Sequence, residues 1–175
     1  LYPNDNNTLV NLKFKNNNLL TTTYPKYNNE WNVIANKNGD LKDVNNKYYY
    51  GLYYEENGST NIDFIEGFYV TKENAIGFLE DKLSIIGLND KEKNEFIMYW
   101  LPVLEKNDES LVYFELTDSR QKYNELIVTP KVDSMLRVSI HIKKVSKKIS
   151  IKEQELPTFE RQGFTLVEWG GVNHK

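Results

Sequence analysis

The chain contains no cysteine. Thiol nucleophiles, disulfides and thiolate-held metals are excluded together. Histidine is nearly as scarce, with only His141 and His174 among 175 residues. A catalytic triad needs an oriented imidazole and a metal centre needs converging ligands. His141 lies in "MLRVSIHIK", where alternation places it with Arg137, Ser139 and Lys143 on the polar face of a strand, between two cations. His174 sits in a terminal "VNHK" with nothing in the sequence to orient it. Neither suggests a triad or a metal site, and no metal or other cofactor is implied. The nine glycines compose no phosphate-cradling loop leading into a helix, and no Gly-x-Ser-x-Gly elbow occurs, so a nucleotide-dependent role is not indicated. No apolar run approaches the ~20 residues of a membrane-spanning helix.

Charge is balanced. Twenty-two basic residues stand against 25 acidic ones, for a formal net charge of −3, and they are dispersed along the chain. A nucleic-acid partner requires a basic face. The one local candidate, "IKKVSKKISIK" at 142–152, interleaves its lysines with Val145, Ile149 and Ile151. It reads as a solvated strand edge protected against pairing with other edges.

What the chain does have is aromatic surface. Twelve tyrosines, eight phenylalanines and three tryptophans make it a folding sequence. Its length suits a single domain, here 1–175, burying roughly two thirds of its unfolded surface. "TLVNLKFK" sets Val10, Leu12 and Phe14 on one face of a strand. "LLTTTYP" stops at Pro25. Asn38-Gly39 is a hairpin turn between Trp31–Ala35 and a short strand at Leu41. "KYYYGLYYEENGS" is a strand bulged at Gly51, with Tyr48, Tyr50 and Tyr53 expected in the core. "DFIEGFYV" is the next strand.

Helical spacing appears only in the middle. Ala75, Leu79, Leu83 and Ile86 recur on one face after a Thr71 cap, and Gly87 supplies the stop. Asn89 with Glu92 forms a capping box ahead of Phe96, Ile97 and Trp100. Pro102 predicts an end near Trp100. The strands then resume in "LVYFELT", "ELIVTP", "SMLRVSIHIKKV", "ISIKE" and "GFTLVEW". Strands, two helices, then strands predict an α+β fold: a mainly antiparallel sheet with a two-helix insertion (about 72–100) packed on it.

Three stretches carry a resemblance: "TTTYPKYNNEWNVIANKNGDL", "GLNDKEKNEFIMYWLPVLEKN" and "ERQGFTLVEWGG". Together they resemble a family of uncharacterised bacterial secreted or membrane-anchored proteins. That family often carries a membrane-directing N-terminal segment and ends in a GFTxVEWGG-like segment. The resemblance implies an extracytoplasmic location and attaches no activity and no functional residue. The chain begins at Leu1 and not at Met, which leads to the expectation that an upstream segment was removed. Any membrane contact would then run through a segment absent from this chain.

Two functional readings follow. In the first, a non-catalytic extracytoplasmic domain binds a cell-envelope component, a glycan or a protein partner, through an aromatic-bearing surface. Tyr24, Tyr27 and Trp31, bordering a Pro turn and an Asn-rich loop, are its candidate binding residues. In the second, paired carboxylates among Asp63, Glu66, Glu160 and Glu168 hydrolyse a polysaccharide. Glu168 favours the first. In "GFTLVEW" both strand faces are largely apolar, so the strand should be central and Glu168 partly buried. A buried carboxylate needs a partner. Arginine is limited to Arg120, Arg137 and Arg161, and Arg137 lies in a strand suited to neighbour this one. A structural Glu168–Arg137 ion pair is therefore expected.

Overall fold

The period-two stretches form strands and the 3.6-period stretches form helices. The computed structural model describes residues 1–58 and 60–174. In chain order it begins with β1 (Thr8–Phe14), β2 (Leu20–Tyr24), β3 (Trp31–Ala35), β4 (Leu41–Lys42), β5 (Tyr48–Tyr49), β6 (Tyr53–Glu56) and β7 (Glu66–Thr71). Helices α1 (Ala75–Ile86) and α2 (Asp90–Glu105) follow. Then come β8 (Glu109–Leu116), a short α3 (Thr117–Tyr123), β9 (Leu126–Thr129), β10 (Ser134–Val145), β11 (Lys152–Glu153) and β12 (Thr165–His174). The fold is α+β, and its sheets are mostly antiparallel, with β11 parallel to β7.

The chain divides into two compact units. The first comprises Leu1–Thr60, Thr117–Arg137 and Arg161–Glu168. Its main sheet has the order β5-β4-β3-β1-β9, and β2 pairs with β6 as a separate ribbon. Alternation along β1 sends Val10, Leu12 and Phe14 inward and leaves Leu9 exposed. Across the ladder Val10 faces Val33 and Leu12 faces Trp31. Val10, Val33, Ala35, Leu41, Tyr49 and Phe164 make one apolar cluster, and Leu12, Phe14, Trp31, Leu126 and Leu166 a second.

The second unit comprises Asn61–Leu116, Val138–Glu160 and Trp169–Lys175. Its sheet runs β11-β7-β8-β10-β12. Ala75, Leu79, Leu83 and Ile86 form the buried stripe of α1, and Phe96, Trp100 and Leu104 that of α2. The rings of Phe68, Phe78 and Phe114 meet between α1 and the sheet, with centroids 5.3–6.2 Å apart. Gly87 ends α1 at φ +103°, a left-handed stop that a side chain would strain. Gly171 serves a different need: a Cβ there would lie 2.3 Å from the Ile140 carbonyl oxygen, so glycine lets β12 close on β10.

Several sequence expectations are corrected. The helix beginning at Asp90 does not stop near Trp100 but runs through Pro102 to Glu105. Proline deprives the Met98 carbonyl of its helical donor. Met98 is largely exposed, so water can serve that carbonyl while Trp100 and Leu104 stay buried. Asn74, not Thr71, is the cap residue of α1, and its side chain accepts from the Thr71 N–H at 2.9 Å. Of the lysine-rich stretch 142–152, residues 142–145 end β10, between β8 and β12 in the sheet order, while Lys152 opens β11, first in that order. Conversely β12, expected to be central, is last in its sheet order. The run "KYYYGLYY" breaks at Gly51 into β5 and β6 and is phased opposite to expectation. Tyr49 and Tyr54 turn inward, while Tyr48, Tyr50 and Tyr53 are 46–55% exposed.

Candidate functional site

The ribbon of β2 and β6 carries the aromatic surface of the first unit. β-Branched threonines favour β2 as a strand, and Tyr24 lies directly opposite Tyr53 across the ladder. Cross-strand partners project to the same side. Both rings are about half-exposed, 56% for Tyr24 and 46% for Tyr53. Tyr24 is braced edge-on by Tyr49, with ring centroids 5.6 Å apart, and the Lys47 ammonium lies 5.8 Å from the Tyr24 ring centroid and 5.2 Å from that of Tyr49. Two flat rings on a hydrogen-bonded ribbon are presented at little entropic cost.

Along the same strand, residues 17–29 enclose an open depression of about 380 Å³, lined by Asn17, Thr21, Thr23, Lys26, Tyr27 and Asn29 among others. Its walls are cross-linked. The Tyr27 N–H donates to Thr23 Oγ1 at 2.9 Å, and the Tyr27 hydroxyl donates to the Asn29 carbonyl at 2.7 Å while accepting from the Phe14 N–H at 3.1 Å. Asn17 Nδ2 donates to Asn29 Oδ1 at 3.1 Å. Amides and hydroxyls held in place this way, with Lys26 beside them, offer hydrogen-bonding groups to a hydroxyl-rich ligand.

Of the three aromatic residues expected to bind, Tyr24 is on the surface and Tyr27 is a partly buried wall of the depression. Trp31 is core. It is 3% exposed, donates from Nε1 to the Pro25 carbonyl at 2.8 Å, and packs edge-on against Phe14 and Tyr27. It presents no ring face to a ligand. Sequence reasoning missed Tyr53 as Tyr24's partner, because the strand phase across Gly51 cannot be carried from residue to residue.

The first unit also holds a buried polar network. Arg137 is fully buried, and its Nε donates to Glu168 Oε2 at 2.5 Å; the Glu168 side chain is 16% exposed. Arg137 Nη1 donates to Gln121 Oε1 and to the Asn124 carbonyl, each at 2.7 Å. The Tyr54 hydroxyl donates to the other Glu168 oxygen at 2.5 Å and accepts from Arg137 Nη2 at 3.3 Å. Arg120 pairs with Glu56, which also accepts from Asn124 Nδ2 at 3.0 Å. Gln121, Arg120 and Asn124 come from α3 and its exit, an element the sequence did not disclose.

Burial opposes ionisation of Glu168, but the charges of Arg137 and Arg120 and the bonds from Arg137 and Tyr54 outweigh it. The carboxyl is held below its ordinary range. Burial and the neighbouring Glu168 raise the Tyr54 hydroxyl, so it remains a proton donor. A carboxylate held ionised by two arginines is a poor general acid. Of the other three carboxylates, Glu66 bridges to Lys152 at 3.2 Å, and Asp63 and Glu160 are exposed.

The second unit corrects the reading of the histidines. His141 is not on a solvated face but is fully buried. Its Nε2 lies 3.2 Å from Glu115 Oε2, and its Nδ1 lies 2.8 Å from His174 Nε2. The antiparallel register pairs Ser139 with Glu115 and His141 with Tyr113, which sets Glu115 diagonally beside the imidazole. His174 is oriented after all, ring against ring with His141 at 5.1 Å and edge-on to Phe64 at 5.5 Å. Burial lowers its pKa, and the nearby His141 and Lys143 lower it further. Among the described residues no group of three or more His, Asp or Glu is arranged to hold a metal ion. Among those residues, too, no helix is long and apolar enough to cross a membrane.

No family model, no curated protein and no solved structure matches the chain.

Proposed function

We propose that this chain is a non-catalytic binding domain acting outside the cytoplasm, and that its ligand is a carbohydrate component of the cell envelope. The observation that carries the reading is the Tyr24–Tyr53 pair: two half-exposed rings, opposite each other in register on a braced ribbon. Tyrosine rings offer a flat apolar face for the C–H side of a sugar and a hydroxyl for its polar edge. The depression lined by threonine, asparagine, Lys26 and Tyr27 between residues 17 and 29 adds hydrogen-bonding groups. The engagement of Glu168 with Arg137 and Tyr54 supports binding over hydrolysis, since it leaves that carboxylate committed to structure.

The test is co-sedimentation of the domain with purified peptidoglycan, alongside titration with soluble neutral oligosaccharides. Replacing both Tyr24 and Tyr53 by alanine is expected to weaken binding about tenfold or more, equivalent to roughly 1.4 kcal/mol, with the melting temperature nearly unchanged. Tyr27→Ala is a poor probe, because Tyr27 also braces Phe14 and Trp31. Retention of full affinity by the double variant, or no affinity in the parent protein, would refute the reading.

A further inference from the structure

The second unit contains a linear chain of three titratable groups, Glu115, His141 and His174, that the binding surface does not use. Its geometry restricts how many protons it can hold. The His141–His174 contact is nitrogen to nitrogen at 2.8 Å, so one ring must donate and the other accept. With Glu115 ionised, His141 Nε2–H donates to the carboxylate. His141 Nδ1 then either accepts from a neutral His174 or, once protonated, donates to it. Both arrangements preserve the bond. When both rings are imidazolium, two N–H groups face each other and no acceptor remains between them.

We propose that Glu115, His141 and His174 form a proton-sensitive clasp: it fastens the end of β12 onto β10 while the imidazoles share at most one extra proton, and opens when both are charged. The position suits this role. His174 is the last residue of β12, and three residues earlier Gly171 lies tight against the Ile140 carbonyl. The contact thus closes the terminal turn of an already close strand pair. Charged and titratable groups lie around it. Glu115 and Tyr113 come from β8, the latter with its ring 6.4 Å from that of His141. Lys143 comes from β10 and Phe64 from the segment preceding β7, with the Lys143 ammonium 5.8 Å from the Phe64 ring centroid. Glu66 at the start of β7 acts on Tyr113. Burial, a charged His141 and Lys143 all oppose a proton on His174.

The pH direction follows. His174 in the folded chain binds its proton less readily than a free imidazole, whose ordinary value is 6.5. The clasp is therefore fully closed above that value, and its contribution is lost as pH falls through the lower folded value.

Histidine ring NMR on the intact protein tests this directly, since the chain has only two histidines to assign. As pH is lowered from about 8 to about 5, His174 should take up its proton at a value below that of free imidazole, and contacts between the two rings should disappear together with it. Backbone amides at 172–174 should exchange about tenfold faster, after correction for intrinsic chemistry, for each pKa unit of depression. His174→Gln keeps a hydrogen-bonding side chain without a titratable ring and should abolish the pH response of those amides. Persistence of the ring contacts through His174 protonation would overturn the proposal. So would an unchanged pH-dependent exchange in the His174→Gln protein.

Discussion

Arg137 and His141 are four residues apart in the sequence of β10. Each is fully buried and each faces a carboxylate, yet the two clusters behave differently. Arg137, in the first unit, keeps its proton at every relevant pH, and its pKa is raised further by Glu168 and Tyr54 against the effect of burial. The second cluster joins His141 to Glu115 and to His174, and burial lowers the pKa of His174 below that of a free imidazole. One strand therefore carries a permanently charged brace and a proton-sensitive contact. A buried charge gives stability only while its partner holds the complementary state, and the identity of the base decides over which pH range that holds.

The comparison can be broken most forcibly at the brace. Glu168→Gln strands Arg137 without a counter-charge, and loss of one member of a buried pair costs ~3–5 kcal/mol. Arg137→Met should also destabilise, and the double variant should lose much less than the two single losses together, because the partners act as one unit. Chemical denaturation of the three variants checks this. Survival of Glu168→Gln with wild-type stability would reopen a catalytic part for Glu168.

A smaller effect comes from outside both clusters. Asn89 Oδ1 accepts from the Glu92 N–H at 3.0 Å, and the Glu92 carboxylate accepts from the Asn89 N–H at 2.9 Å. Asn89→Ala should cost about 1 kcal/mol. Urea titration of this variant calibrates the larger losses against an ordinary helix cap. Smallest of all, replacing Tyr24 and Tyr53 should leave thermal melting almost unmoved while reducing carbohydrate binding, which would separate surface from brace.

The sequence disclosed those parts of the fold whose signals are local. Val10, Leu12 and Phe14 alternate without interruption, Asn38-Gly39 marks its own turn, and Asn89 with Glu92 closes a capping box within one helical turn. What it hid depended on distant partners. β10 reads as half-polar because Arg137, Ser139 and His141 alternate with aliphatics, yet all three are buried: Arg137 and His141 bond to groups far along the chain, and Ser139 lies beside His141. The brace needs Gln121, Asn124 and Tyr54, and the short α3, which with its exit supplies the first two, has no apolar stripe to betray it. Tyr24 was legible as an exposed ring beside a Pro turn. Tyr53 was not, because Gly51 resets the alternation between β5 and β6.

Stability measured across pH tests the contrast between the two clusters most directly. Denaturant titrations of the parent protein, Glu168→Gln and His174→Gln should be run from about pH 8 to about pH 3. The His174 contribution is present above 6.5 and fades as pH falls below it, whereas the Glu168 contribution is present above 4.5 and is lost only as pH falls through the lower folded value. The parent should therefore lose stability in two separate steps. His174→Gln should erase only the step nearer neutrality and Glu168→Gln only the acid one. A single step, or one that both substitutions remove together, would contradict the assignment of a fixed brace and a separate proton-sensitive clasp.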